Sequence, residues 1–338
     1  MTTVLVTGAT GFIGSHTAYA LAQQGFVLRL LVRDPERART WCEKRGIKVE
    51  EYIRGDISSA QDMQRAVAGC DALVHAAAMV GLEARNAAEI ERVNIDGTRH
   101  VMEAALAAGV RTIIYVSSAS ALYRAGLPYM DESCEPGTST SGYGFSKTEC
   151  ERYVRELQQR GAPVIITYPV GVIGPDDPRL SESVGAMVSF LKDMVPLTAT
   201  GIQLVDVRDI AQAHCQLLRR GAIVGDVLQN RLMLKGEYLS WSHLAETLQS
   251  ITGRKVRTVR LSPRLMLLMG RCADFLRRFV SISMPITAES MRYTCSWIEV
   301  RSQHHGVEYR DIRVTLSDTI RWLVREGHLP ASLAGRLV

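Results

Sequence analysis

The chain has no cysteine pairing pattern. Its seven cysteines, at 42, 70, 134, 150, 215, 272 and 295, form no CxxC unit and no Cys/His cluster. That argues against a zinc module and a disulfide scaffold, and leaves reduced, mostly packed thiols as the expectation. The sequence also lacks any run approaching 18 apolar residues, and its first residues, MTTVLVTGATG, lack the basic start of a secretory signal. Neither a membrane-spanning helix nor a signal peptide is expected, and the cytoplasm is the default compartment. Internal repeats and low-complexity tracts are missing as well. With 46% hydrophobic and 22% charged residues over 338 positions, disorder is not expected, and the chain is long enough for a large core and two lobes.

Acidic residues are scarce in one place. Residues 254–278 hold eight basic residues (Arg254, Lys255, Arg257, Arg260, Arg264, Arg271, Arg277 and Arg278) against the single acid Asp274, in a chain whose formal charge is only +5. Such a patch suits an anionic substrate, a membrane surface or nucleic acid, and equally a solvated helix face. No nucleic-acid partner is expected. The overlapping segment LSPRLMLLMGRCADFLRRFV (261–280) reads as an amphipathic helix, with Arg271, Asp274 and Arg278 on one face and leucines and methionines on the other. Packing of the apolar face against the lobe, or around an apolar pocket, is preferred to peripheral membrane contact.

What is present is a regular alternation. Strands are expected at 3–7, 27–32, 48–53, 72–76, 112–118 and 163–170, and helices at 12–24, 36–45, 59–68, 87–108 and from Tyr143 onward. Continuous Val/Ile/Leu strands separated by helices indicate a parallel sheet covered on both faces, the doubly wound α/β class. After Gly174-Pro175 the rhythm loosens into a helix at 180–195, an extended stretch at 202–205, a helix at 209–219 and a smaller, mainly helical region from about 231. The expected division is a nucleotide-binding domain of 1–170 plus 202–230 and a substrate lobe of 171–201 plus 231–338.

The strongest local signal is TGATGFIG, with Gly8, Gly11 and Gly14 directly after the first strand and opening the first helix. Glycines there permit a tight turn, admit a pyrophosphate close to the backbone and leave helix N-terminal amides pointing at the anion. The second strand ends Leu31-Val32-Arg33-Asp34-Pro35-Glu36. A carboxylate at this place would suit the ribose hydroxyl of NAD, and an arginine the 2′-phosphate of NADP. Asp34 before Pro35 also has the form of a helix N-cap; that reading leaves Arg33 for the phosphate and favours NADP over NAD. Further on, Tyr143 and Lys147 are one helical turn apart and share a face. A nearby ammonium favours the phenolate, bringing a group of ordinary pKa near 10 toward proton transfer at neutral pH.

TGATGFIG, RGDI (54–57), HAAA (75–78), VNIDGT (93–98), YVSSAS (115–120), YGFSK (143–147), YPVGVIGP (168–175) and VDVRDIA (205–211) occur in an order and spacing that resemble the extended short-chain dehydrogenase/reductases. The resemblance covers about residues 3–215 and is nearest the dihydroflavonol-reductase-like and 3β-hydroxysteroid-dehydrogenase-like branch. It implies Tyr143 as general acid or base, Lys147 as the cation lowering its pKa and bonding the nicotinamide ribose, and Ser118 holding the substrate oxygen, with Ser117 as the neighbour facing away. It implies cofactor contacts from Gly8, Thr10, Gly11, Phe12, Ile13, Gly14, Arg33, Asp56, Ile57, Ala76, Ala77, Ala78, Tyr143, Lys147, Pro169 and Val170. Asp56 would bond the adenine amine, unless it caps the next helix; Asn94 would be a buried hydrogen-bonding post. Counting seven residues from Gly25 reaches Val32 where many NAD-preferring members carry an acid, again in favour of NADP. Dimers through the helices after strands four and five are common in the family.

The function so implied is NADP-dependent hydride transfer between nicotinamide and a ketone, aldehyde or secondary alcohol of fairly apolar character. A sugar-nucleotide epimerase is the alternative; Tyr-Pro-Val-Gly at 168–171 stands where many epimerases have an FNPVG-like stretch, while the basic segment would suit a diphosphate. A non-catalytic dinucleotide sensor or scaffold is the third reading, against which stand Ser118, Tyr143 and Lys147. Pocket walls are expected from Met79, Val80, residues 119–123, the 171–190 segment and the basic lobe. No metal is expected.

Overall fold

A computed structural model describes residues 2–81, 87–139, 142–223, 225–276, 287–304 and 306–338. Six strands follow the expected alternation: β1 (Thr3–Thr7), β2 (Val27–Val32), β3 (Glu51–Arg54), β4 (Ala72–His75), β5 (Thr112–Val116) and β6 (Val164–Pro169). Between them run α1 (Phe12–Gln23), α2 (Pro35–Lys44), α3 (Ala60–Val67), α4 (Ala87–Ala107) and α5 (Gly142–Gln159). The strands β1, β4, β5 and β6 are buried along almost their whole length, as parallel strands covered by helices on both faces must be.

Beyond β6 come β7 (Gly171–Ile173), α6 (Glu182–Lys192), β8 (Val195–Leu197), β9 (Gly201–Asp206), α7 (Val207–Arg220), β10 (Arg231–Leu234), β11 (Glu237–Ser240), α8 (Trp241–Thr252), β12 (Thr258–Arg260), α9 (Pro263–Leu276), α10 (Ala288–Ser296) and α11 (Ile312–Arg325). The main sheet has seven strands in the order β10-β6-β5-β4-β1-β2-β3, every neighbouring pair parallel. Its order reverses between β1 and β4, which opens a crevice at their C-terminal ends.

The sheet does not stop at residue 230. The short apolar run RLML of β10 pairs with β6, Arg231 opposite Ile166, and closes an edge that would otherwise leave β6 unpaired on one side. Conversely β9, expected with the nucleotide-binding half, lies in a separate three-stranded sheet between β7 and β11. A two-stranded sheet joins β8 to β12. Two hydrophobic clusters result. One spans the main sheet and its helices, and the other gathers α6, α8 and α11 around Trp241, Leu244, Leu316 and Trp322.

The segment expected to turn leucines and methionines inward does the reverse. In α9 only Met266 and Gly270 are buried, whereas Leu265, Leu268, Met269, Phe275 and Leu276 are exposed. Gly270 explains the orientation: a Cβ there would stand 2.7 Å from the Thr287 carbonyl oxygen, so α9 presses its smallest residue against the start of α10. The Asp274 carboxylate accepts a hydrogen bond from the Ala288 amide at 2.9 Å on the same side. Arg277 and Arg278, part of the same expectation, lie outside the described residues.

Candidate active site

The glycine-rich turn is shaped by close approach. Gly8 has φ +74°, and a Cβ on it would lie 2.6 Å from the Ala77 amide nitrogen; a Cβ on Gly14 would lie 2.2 Å from the Gly8 carbonyl oxygen. Helix α1 therefore starts tightly against the end of β1 and the alanines following β4. Gly11 is its N-cap and provides no side-chain hydrogen bond, so first-turn amides, including those of Phe12 and Ile13, face the crevice without a side-chain cap. Thr10 sits half-buried in the same turn.

The other expected cofactor residues follow the same edge of the sheet. Arg33, just after β2, is exposed and has no ion pair among the described residues. Asp34 is engaged elsewhere, its carboxylate accepting the Arg37 amide at 3.1 Å as the N-cap of α2, with Pro35 behind it. Asp56 follows β3; one of its oxygens accepts from the Ser58 amide and hydroxyl at 2.9 and 2.8 Å, and it is Ser59 that caps α3. Ile57 is buried, Ala76, Ala77 and Ala78 are half-buried after β4, and Pro169 and Val170 are buried at the end of β6. An exposed arginine without an ion pair among the described residues and a cradle that tolerates no Cβ are compatible with a nicotinamide dinucleotide.

Ser118, Tyr143 and Lys147 come together across the crevice. Ser118 follows β5 and accepts hydrogen bonds from the Ser120 amide (3.2 Å) and the Ser120 hydroxyl (2.9 Å). With both of these accepted, its own proton is left for the side on which the Tyr143 phenol lies within hydrogen-bond reach. Ser117 points the other way and donates to the Glu151 carboxylate at 2.8 Å, inside a buried network with Arg155 and Tyr168. This opposition is the alternation of an extended chain. Asn94 bonds the Met79 backbone on both sides (2.7 and 3.0 Å) and donates to the Ser146 hydroxyl at 3.0 Å, tying the loop after β4 to the first turn of α5.

Tyr143 lies in that first turn. Burial pushes its phenol above the ordinary range, a hydrogen bond with Ser118 pulls the other way, and the carboxylates of Glu182 and Glu289 add to the rise. Lys147, 5% exposed, donates to the Val116 carbonyl oxygen at 3.0 Å, with its ammonium 5.9 Å from the Tyr143 ring centroid and 5.5 Å from that of Tyr115. Burial lowers its pKa. It has no salt bridge among the described residues, so a buried cation is held by a carbonyl and aromatic faces, a costly arrangement that sites retain for chemistry.

Two groups of the site have no signal in the sequence. Glu289, on α10, takes a hydrogen bond from the Gly144 amide and is pushed up by burial; the Tyr293 hydroxyl donates to it at 3.3 Å. Around them Tyr123, Tyr293 and Trp297 pack ring against ring at 5.3–6.5 Å. The Trp297 indole N–H is buried without a hydrogen-bond partner among the described residues. Glu289 is 146 residues beyond Tyr143 in a stretch, AESMRY, that matches no motif.

Residues 4–228 match the model of the NAD dependent epimerase/dehydratase family. The chain belongs to that family. Its members are nicotinamide-dinucleotide-dependent enzymes, and the family's extended short-chain dehydrogenase/reductase type is the one the motifs resemble. The ceramide reductase of Caulobacter vibrioides is 30% identical over 80% of this chain and 77% of its own. Cinnamoyl-CoA reductase 1 of Oryza sativa is 26% identical over 97% and 92%. The crystal structure of gox2253 superimposes with a TM-score of 0.77 at 30% identity, covering 97% of this chain and all of the other. Among the described residues no helix is long and apolar enough to cross a membrane, and no cluster of His, Cys, Asp and Glu could hold a metal ion.

Proposed function

We propose that the protein is an NADP-dependent oxidoreductase that interconverts a ketone or aldehyde with the corresponding alcohol on an apolar substrate, through Ser118, Tyr143 and Lys147. The observation that carries this reading is the buried Lys147 ammonium, one helical turn from the half-buried Tyr143 phenol and without a carboxylate partner among the described residues. The reductase names of relatives that cover most of the chain support it.

A bound nicotinamide dinucleotide would supply the hydride. The chain would hold it with the first-turn amides of α1, Arg33 and Asp56, and the Gly8–Ala77 contact sets how near it can lie. Ser118, its oxygen already occupied by two donors from Ser120, offers its proton to the substrate oxygen and fixes that oxygen beside Tyr143. Tyr143, a phenol protonated at neutral pH and held further toward that form by burial, gives its proton to the forming alkoxide. Lys147 then faces the phenolate and lowers the cost of that charge. In the reverse direction the phenolate takes the alcohol proton.

The aromatic wall of Tyr123, Tyr293 and Trp297 suits an apolar body better than a sugar diphosphate. The cations of the basic segment within the described residues are solvent-exposed, which weakens the epimerase alternative. The decisive variant is Tyr143→Phe, read as NADPH consumption with a panel of aldehydes and ketones and as product analysis with nucleotide sugars. Turnover is expected to drop by about 10²- to 10⁴-fold with cofactor affinity within about twofold. Unchanged turnover would remove Tyr143 from the chemistry, and an inverted sugar without net NADPH loss would make the protein an epimerase.

A further inference from the structure

We propose that the outer face of α9 docks the protein on an anionic lipid bilayer, lying in the plane of the interface. The helix is amphipathic in the inverted sense. At 100° per residue Leu265, Leu268, Met269, Cys272 and Leu276 fall on one continuous arc, and all five are exposed, Leu268 at 57%. Arg264 and Arg271 border that arc on one side and are also exposed. The opposite side is committed to the fold: Gly270 abuts Thr287 and Ala288, Asp274 accepts the Ala288 amide, and the Met266 sulfur lies 3.6 Å from the Cys295 sulfur. The apolar arc is therefore held outward by packing, not left there by a loose helix.

The charge around the arc selects the occupant. Arg254, Lys255, Arg257, Arg260, Arg264 and Arg271 are all exposed, and residues 254–276 contain one acid, Asp274, which faces α10. An apolar strip flanked on its own helix by Arg264 and Arg271, and preceded in the chain by four more exposed cations, is complementary to anionic headgroups over an acyl layer. A second copy docked face to face would set these arginines against their own kind. The location also serves the chemistry, a step that rests on the oxidoreductase reading: α9 packs on α10, whose Glu289 bonds the Gly144 amide beside Tyr143. An apolar substrate leaving the bilayer at α9 would be one helix away from the site.

The test is flotation of the full chain with vesicles of phosphatidylcholine alone and of phosphatidylcholine and phosphatidylglycerol in equal parts, without substrate or cofactor. Binding to the anionic vesicles is expected to exceed that to the neutral ones by about tenfold or more and to weaken with added salt. The double variant Leu265→Glu/Leu268→Glu is expected to lose about tenfold of that binding, with unchanged melting temperature because both side chains are already in water. A probe that needs no variant is an environment-sensitive dye on Cys272, the one exposed thiol among the described residues, whose emission should shift to the blue on anionic vesicles. No binding by the wild type, no blue shift, or equal binding by the double variant overturns the proposal. So does a wild-type dimer that the double variant converts to monomer without any vesicle binding. Turnover of a water-soluble carbonyl compound without vesicles is measured separately, so loss of docking and loss of the oxidoreductase reading are distinguishable.

Discussion

The half built on β1 to β6 and the helix α9 use the same residue types in opposite ways. In the sheet, Leu5, Ile113 and Ile165 are fully buried, and two buried histidines are matched by hydroxyls: Thr7 and Thr98 bracket His75, and Thr17 and Thr167 bracket His214. Burial lowers both imidazoles to about 3, so they stay neutral hydrogen-bonding posts. In α9 the leucines face water, while the buried side is a glycine, a methionine and an aspartate bonded to a backbone amide. The periodicity of an apolar stripe therefore says that a helix has two faces, and the packing of its small residues says which face is inside.

The contrast is sharpest in stability. Leu5→Ala should cost about 2–5 kcal/mol, since it opens a cavity in a core that cannot fully collapse, whereas Leu268→Ala should stay within about 0.5 kcal/mol. Urea denaturation of the two variants measures both. A Leu268 loss as large as that of Leu5 would mean that the face is covered in solution. Within the cofactor half, Arg33 is the exposed cation whose duty is expected toward a ligand and not the fold. Arg33→Ala should leave the melting temperature unchanged and weaken NADPH about 10- to 100-fold, the loss of a charge-assisted contact, with little effect on NADH. Equal weakening of both by fluorescence titration would reverse the NADP assignment.

These differences also mark what can be read from a sequence. The glycine turn, the Asp34 cap and the opposed serines at 117 and 118 are legible because each is a local rule: a turn that excludes Cβ, a proline after a cap, a side-chain alternation. The strand β10 is not, because RLML is only four residues long; its pairing with the open edge of β6 makes it a strand. Glu289 and Tyr293 are not legible either, because their role comes from how α10 is seated over Gly144, a tertiary fact with no spacing to announce it. The outward face of α9 belongs to the same class, since it depends on Gly270 meeting α10.

Glu289 sits where the two regions meet and gives the smallest effect, with two signs to check. Burial holds its pKa above the ordinary carboxylate value. A carboxyl raised in the folded state contributes its stability below the unfolded pKa and loses it as pH rises through the folded one. Glu289→Gln should therefore match the wild type near pH 4 and become more stable above it, by under about 1 kcal/mol because the group is partly solvated. Gln keeps an acceptor for the Gly144 amide, so the contact survives. The second sign concerns Tyr143, whose phenol the Glu289 charge pushes up. With that charge removed, the phenol should ionise at lower pH, and the alkaline fall of kcat/KM for carbonyl reduction should move to lower pH with it. A thermal-melt series shows the first sign and a pH-rate profile the second; an alkaline limb displaced upward, or not at all, would mean that α10 covers the site without acting on its proton donor.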